Sequence, residues 1–332
     1  MDLSIRTLVR GLYDVQKQRI QTGNRIVAQF KAKLGQLPSA SEETLSPEAR
    51  GLLERIRRAE RKVTTGAVSE LEAEKAKKDD VGKLVVDLMD IMYAQFVTEK
   101  GKIPPKSKFV GNPVVSNYTE MCLICVYKEQ EAQEAAHFRR LESVLEDFPI
   151  WTQYLKGIRG CGPAMAGVIL SEIDIHKAQY ASSLWSYAGL DVVNALDPET
   201  LEVTGQGRSR RETHLVRRKY INRDGQEAER NSITFNPFLK TKLVGVLGSS
   251  FLRAGGPYAD VYRNYKARLQ NMEDHKGKTK QHIHNMAIRY AVKRFLADLY
   301  VAWRTLEGLP VTAEYHEGKL GHVHAAKGGV EC

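Results

Sequence analysis

The sequence predicts a mainly α chain: long N-terminal helical hairpins with coiled-coil character, then a helical domain that holds a helix-hairpin-helix turn and a small irregular or β-hairpin insertion. Three observations carry this expectation. Apolar residues recur every three or four positions through the first 149 residues, glycines crowd residues 157–162, and turn-forming residues break up the stretch between residues 197 and 226.

The first helix begins with "LSIRTLVRGLYDV", where Ile5, Leu8, Leu12 and Val15 form a seam-like stripe. Polar Arg19 and Thr22 stand where the stripe should continue, before Ile26 and Phe30 resume it. "LPSASEETLSPEAR" ends this helix at Pro38, and Ser46-Pro47-Glu48 provides a cap for the next, expected from about Pro47 to Val63. A third helix is expected from about Ser69 to Thr98, with Leu84, Leu88, Ile91 and Met92 on its apolar face. A proline- and lysine-rich loop, "EKGKIPPKSKFVGNP", precedes a fourth long helix that stops near "EDFP". Residues 1–149 thus read as a coiled-coil or dimerisation region, because long amphipathic helices must bury their stripes.

Beyond Pro149 the helices shorten and glycine becomes frequent. Residues 150–309 read as a second domain, with "EVTGQG" and "YINRDGQEA" as turns of an insertion and a last long helix from about Lys278 to Leu306. Residues 310–332, rich in glycine and histidine, read as a flexible tail.

The chain has 332 residues, 42% of them hydrophobic, which suffices for an ordinary core in two domains. Fifty Lys and Arg against forty Asp and Glu leave a net charge of +10, an excess that favours a polyanionic partner where it is localised. Cys122 and Cys125 form a lone C-x-x-C among apolar residues, and Cys161 and Cys332 stand apart, so the reading is small buried residues and no metal. No signal peptide and no membrane-spanning apolar run is evident, so a cytoplasmic location in a reducing compartment is expected.

"LKGIRGCGPAMAGVIL", residues 155–170, matches the helix-hairpin-helix pattern. Leu155 and Ile158 close a first short helix, and Gly160-Cys161-Gly162 makes the turn with Cys161 pointing inward. Pro163 occupies the first position of the second helix, which Met165, Ala166 and Ile169 pack down. Without side chains at the turn, the amides around Gly160, Cys161, Gly162 and Ala164 could reach a phosphate.

Charge supplies the second signal. Between Thr204 and Arg223, Arg208, Arg210, Arg211, Arg217, Arg218, Lys219 and Arg223 face the single acid Glu212. Arginine predominates, which suits bidentate phosphate contact. The last helix, "KTKQHIHNMAIRYAVKRFLADLYVAW", supplies the third. Ala287, Ala291, Phe295 and Leu299 face a core, while His282, Arg289 and Lys293 share another side and Lys278 and Lys280 stand at its start. His282 and His284, two residues apart on a helix, diverge and are not read as metal ligands. Double-stranded DNA is the partner these three features favour.

Residues 150–306 resemble the C-terminal transposase domain of the DEDD-type insertion-sequence transposases, the family of the Piv-type DNA invertases and the bridge-RNA-guided recombinases. The elements that carry the resemblance stand in the family's order: "LKGIRGCGPAMAGVILSEI", "SLWSYAGLDV", the basic "TGQGRSRRE", "NPFLKTKLVGVL", "PYADVYRNYKARL" and the closing basic helix. "IRTLVRGLYDVQKQRIQTGNRI" resembles the coiled-coil region that precedes this domain.

The resemblance implies DNA transposition or recombination, a bacterial nucleoid-associated location, a homo-oligomer formed through the N-terminal helices, and a structured guide RNA as a second partner. Two departures matter. The family's RuvC-like domain binds divalent metal through four acidic residues, and residues 1–150 offer no strand-borne acidic cluster of that kind. No cofactor is therefore expected, except a divalent metal on a RuvC-like partner acting in trans. The family's serine nucleophile precedes a glycine after the "YAGL" element. Here Thr204, before Gly205, is the counterpart and Ser209, between Arg208 and Arg210, the next candidate. The expectation is a transposase-like DNA-binding protein. A serine-type recombinase completed in trans and an RNA-binding scaffold are the alternatives.

Overall fold

In a computed structural model of the protein, Leu3–Gly35 forms one continuous helix, α1, because no proline interrupts its long polar and apolar alternation. The structure describes residues 3–35, 44–65, 80–98, 101–197, 199–200, 202–208 and 215–313, without the side chains of 60–65, 193, 195 and 206–208. The expected tail beyond residue 313 lies outside the described residues. The described chain is mainly helical, and its strands form two separate antiparallel pairs. Two compact units emerge, Arg10–His137 and Met1–Val9 with Phe138–Cys332. The divisions fall inside α1 and inside the fourth long helix.

In the first unit, α2 (Pro47–Thr65) starts where Ser46 Oγ accepts the amide of Ala49 at 3.2 Å. The third helix, α3 (Val81–Phe96), is capped by Asp80, whose Oδ1 accepts the amide of Lys83; residues 69–79 of the expected helix lie outside the described residues. The fourth, α4 (Tyr118–Leu145), completes the set. Ile26, Phe30 and Leu34 of α1 pack with Leu53 and Ile56 of α2, Leu84, Leu88 and Met92 of α3 and Met121 and Ile124 of α4. Ile26, Phe30 and Leu34, the later part of the α1 stripe, are thus buried within a single chain, as are Ile5 and Leu12, while Leu8 and Val15 are partly buried.

The break in that stripe has a partner. Arg19 Nε donates to Glu134 Oε2 on α4, Gln16 Nε2 donates to Glu134 Oε1 at 2.9 Å, and Arg19 Nη1 reaches Tyr127 Oη at 3.3 Å. One turn on, Gly23 lets the Tyr127 ring approach, since a Cβ there would stand 3.1 Å from it. Further along, Lys33 Nζ binds Glu120 at 2.7 Å and the Val114 carbonyl at 2.9 Å. Polar layers of this kind fix which helices pair and in what register.

The second unit is built around two helices. The buried α6 (Pro163–Glu172) follows the short α5 (Pro149–Gln153), and α7 (Ala181–Tyr187) comes next. Two hairpins intervene, β1 (Val192–Leu196) with β2 (Val203–Arg208), and β3 (Leu215–Ile221) with β4 (Glu227–Ile233). After them, α8 (Pro237–Thr241) runs through a π-helical turn, Lys242–Leu247, into α9 (Gly248–Ala254). Last come α10 (Pro257–Asn271) and α11 (Lys280–Leu306). Ala287, Ala291, Phe295 and Leu299 of α11 are buried, and Phe295 meets Phe251 and Tyr258 edge-on, each at 5.4 Å between ring centres. At its far end α11 is tied by Arg304, whose buried guanidinium donates to the carbonyls of Ala178, Pro310 and Ile175.

Candidate nucleic-acid interface

The glycine turn is built from local rules. A 3-10 turn, Leu155–Gly157, ends in an Ile158 carbonyl that accepts the Cys161 amide at 3.0 Å. Gly160 has φ +91, a conformation that favours glycine. A Cβ on it would stand 3.0 Å from the backbone of Ser250 and Phe251. The bare flank of Gly160 is therefore occupied by the protein's own α9. Gly157 and Gly162, by contrast, border open space.

Cys161 is buried, and that burial pushes its thiol up to about 12. Gly162 caps α6 and Pro163 takes the first helical position. Residues Met165–Glu172 are buried, while Gly162 is exposed and Pro163 and Ala164 are half-exposed. The Ala164 amide lies in the first turn, where no preceding helical carbonyl is available to it. The turn is held from behind by Tyr154, whose hydroxyl meets that of Tyr258 at 3.3 Å; Tyr258 in turn donates to Asp298 at 2.9 Å. Burial pushes the Tyr154 phenol up to about 12. Beside the turn Arg159 is exposed, its stem lying against Gly256, and Lys156 is paired with Glu146 at 2.8 Å.

The basic segment spans both hairpins. Of its residues, Ser209, Arg210 and Arg211 lie outside the described residues, and the side chain of Arg208 is not described. Arg217, Arg218 and Lys219 are successive residues of β3, all exposed, and Arg223 is exposed in the turn. That turn follows from sequence: Asn222 Oδ1 accepts the amides of Asp224 and Gln226, and Gly225 takes φ +78. Lys219 faces Glu229 across the ribbon and pairs with Glu227 at 3.5 Å. Sequence reasoning missed Arg230, which the register sets opposite Arg218. A symmetric turn on Asp224-Gly225 would set Arg218 opposite Asn231; the turn instead closes with the Asn222 amide donating to the Gln226 carbonyl at 2.9 Å, which shifts the register by one and brings Arg230 opposite Arg218.

Thr204 is exposed on β2 at a β-bulge: Leu196 pairs with Val203 and Ala195 with Gly205, so Thr204 is the extra residue. On α11, Lys280 and His282 are exposed and Arg289 is half-buried. Lys293 rests over the Trp185 ring at 4.9 Å, while the Trp185 indole donates to the Lys293 carbonyl at 3.1 Å. Burial pulls the Lys293 ammonium below its usual range, and Asp191 opposes that shift. The exposed basic residues of the expected set are thus Lys280 and His282 in the first turn of α11 and Lys278 just before it.

Among the described residues no group of three or more His, Cys, Asp or Glu side chains is placed to hold a metal ion. His284 Nδ1 instead meets Tyr262 Oη at 2.6 Å, and Cys125 is buried in the first unit. Among the described residues no helix is long and apolar enough to cross a membrane. The chain matches no family model, no curated protein and no solved structure.

Proposed function

We propose that this chain is a transposase-like DNA-binding protein that grips duplex DNA by its phosphates. The observation that carries the reading is the run Arg217-Arg218-Lys219, exposed on a ribbon whose two strands, among the described residues, pair only with each other. A cationic run on an exposed element is poorly explained by packing and well explained by a polyanion. The exposed start of α6 at Gly162 and Ala164 offers amides for a further phosphate, and Lys280 adds charge at the start of α11. The metal-dependent step of transposition is not assigned to these residues.

The test is the affinity for a labelled duplex measured from low to high salt. A steep fall is expected, because each neutralised phosphate releases counterions. A flat response overturns the reading. A structured RNA that displaces the duplex would identify the guide-RNA-like partner. Sedimentation of the whole chain tests self-association through α1–α4.

A second reading, covalent catalysis, is favoured by one observation. Thr204 is exposed as the extra residue of the bulge, immediately before Gly205, the position the resemblance assigns to the nucleophile. Incubation with labelled DNA and a divalent metal, followed by denaturation, tests it. An adduct lost on Thr204→Ala or Ser209→Ala establishes catalysis, and its absence leaves binding alone.

A further inference from the structure

The two faces of the β3–β4 ribbon differ in charge. Alternation puts Val216, Arg218 and Tyr220 on one face with Ala228, Arg230 and Ser232. The other face carries Arg217, Lys219 and Ile221 with Glu227, Glu229 and Asn231. The second face is balanced, cations against acids, and includes the Lys219–Glu227 pair. The first holds two arginines and no acid.

Those arginines are directly opposite each other, Arg218 against Arg230. Like charges so placed destabilise a hairpin, and among the described residues no carboxylate pairs with either. Nor, among the described residues, does another strand flank the ribbon to share the cost. Arg230 lies over the Tyr220 ring at 5.0 Å, which holds its guanidinium in a set orientation without neutralising it. An uncompensated cationic pair on a narrow, two-sided element is shaped for an anionic cleft.

Size chooses the cleft. A two-stranded ribbon fits the major groove of B-form DNA, about 12 Å wide. The major groove of an A-form RNA duplex is too deep and narrow to admit one. Strands of seven residues extend about 23 Å at the usual rise, enough to follow the groove for roughly half a helical turn or more.

We propose that the β3–β4 ribbon docks in the major groove of B-form DNA with its Arg218–Arg230 face toward the groove floor. There the planar guanidinium groups meet the O6 and N7 acceptors of guanine. Arg217 and Lys219 face outward. This rests on the DNA-binding reading above and adds the element, the face and the groove.

The test uses the full chain with a duplex in two forms, plain and carrying glucosyl groups on cytosine C5, which fill the major groove. It compares wild type, R218A/R230A and R217A/K219A, with thermal unfolding confirming that each variant folds. Wild type should lose tenfold or more in affinity on the glucosylated duplex. R218A/R230A should bind the plain duplex tenfold or more weakly and be indifferent to glucosylation. R217A/K219A should weaken binding to the plain duplex by less than R218A/R230A does and should stay sensitive to glucosylation. Three outcomes overturn the proposal: equal loss in both double variants, no effect of glucosylation on wild type, or equally tight binding of an A-form RNA duplex. Salt-dependent binding of wild type to plain DNA alongside any of these leaves the DNA-binding reading standing. Absence of wild-type binding to plain DNA at low salt ends both.

Discussion

Asn236 Nδ2 donates to Glu172 Oε2 at 2.6 Å, joining the cap of α8 to the buried end of α6. The same side chain accepts the Leu239 amide through Oδ1 and lies 3.1 Å from Tyr187 Oη, and Arg6 reaches Glu172 at 3.6 Å. Three segments distant in sequence are fastened at one asparagine. Asn236→Ala should cost about 2–4 kcal/mol, combining a lost cap with a buried carboxylate short of a donor. Asn236→Asp keeps the cap acceptor yet sets a second carboxylate against Glu172, and should cost more. Urea unfolding of both variants checks the order.

Gly160 and Gly162 should behave oppositely. Gly160→Ala places a Cβ at positive φ and within 3.0 Å of the α9 backbone, so at least about 2 kcal/mol of stability should be lost. Gly162→Ala meets open space and should change stability by under about 1 kcal/mol while weakening DNA binding. Denaturation curves paired with duplex titrations separate the two effects. A Gly162→Ala variant that binds as wild type removes the α6 start from the interface.

High pH should unfold the second unit. Cys161 is raised from 9.0 to about 12 and Tyr154 from 10.0 to about 12, so the folded state keeps protons that the unfolded state releases. Their contribution is fully present below pH 9 and is lost as pH rises toward 12, at up to about 1.4 kcal/mol per pH unit for each group. Thermal midpoints at pH 8, 10 and 11 should fall in that order. The Cys161→Ser variant should show a shallower decline. Cys161 should also resist alkylation at pH 8 until denaturant is added.

The Arg19–Glu134 pair predicts a non-additive cycle. Glu134→Leu alone strands a half-buried guanidinium and should cost about 3 kcal/mol, whereas Arg19→Leu with Glu134→Leu should fall within about 1 kcal/mol of wild type. A double-mutant cycle by chemical denaturation measures this. Additive losses would mean that the pair is not coupled.

Much of the helical layout was legible in the chain. Ser46 before Pro47 announced a helix start, and the four-residue spacing of Ala287, Ala291, Phe295 and Leu299 announced the buried face of α11. The Asp224-Gly225 turn announced the second hairpin. Local rules suffice in these cases, because capping, periodicity and turn geometry involve residues within a few positions of one another.

Three features were not legible locally. The interruption of the α1 stripe at Arg19 is answered by Glu134, more than a hundred residues away. The reason for glycine at 160 is the passing backbone of α9, which nothing near residue 160 encodes. Lys293 shares its side of α11 with exposed cations on a helical wheel, yet the Trp185 ring covers it.

What the sequence by itself determined is therefore where elements begin, turn and end, and where cationic residues concentrate. Only the tertiary structure decided which of those cations remain open to a partner and which glycines serve the protein's own packing. The physical reason is that exposure and close approach depend on what the rest of the chain brings alongside, and chain spacing carries no record of that.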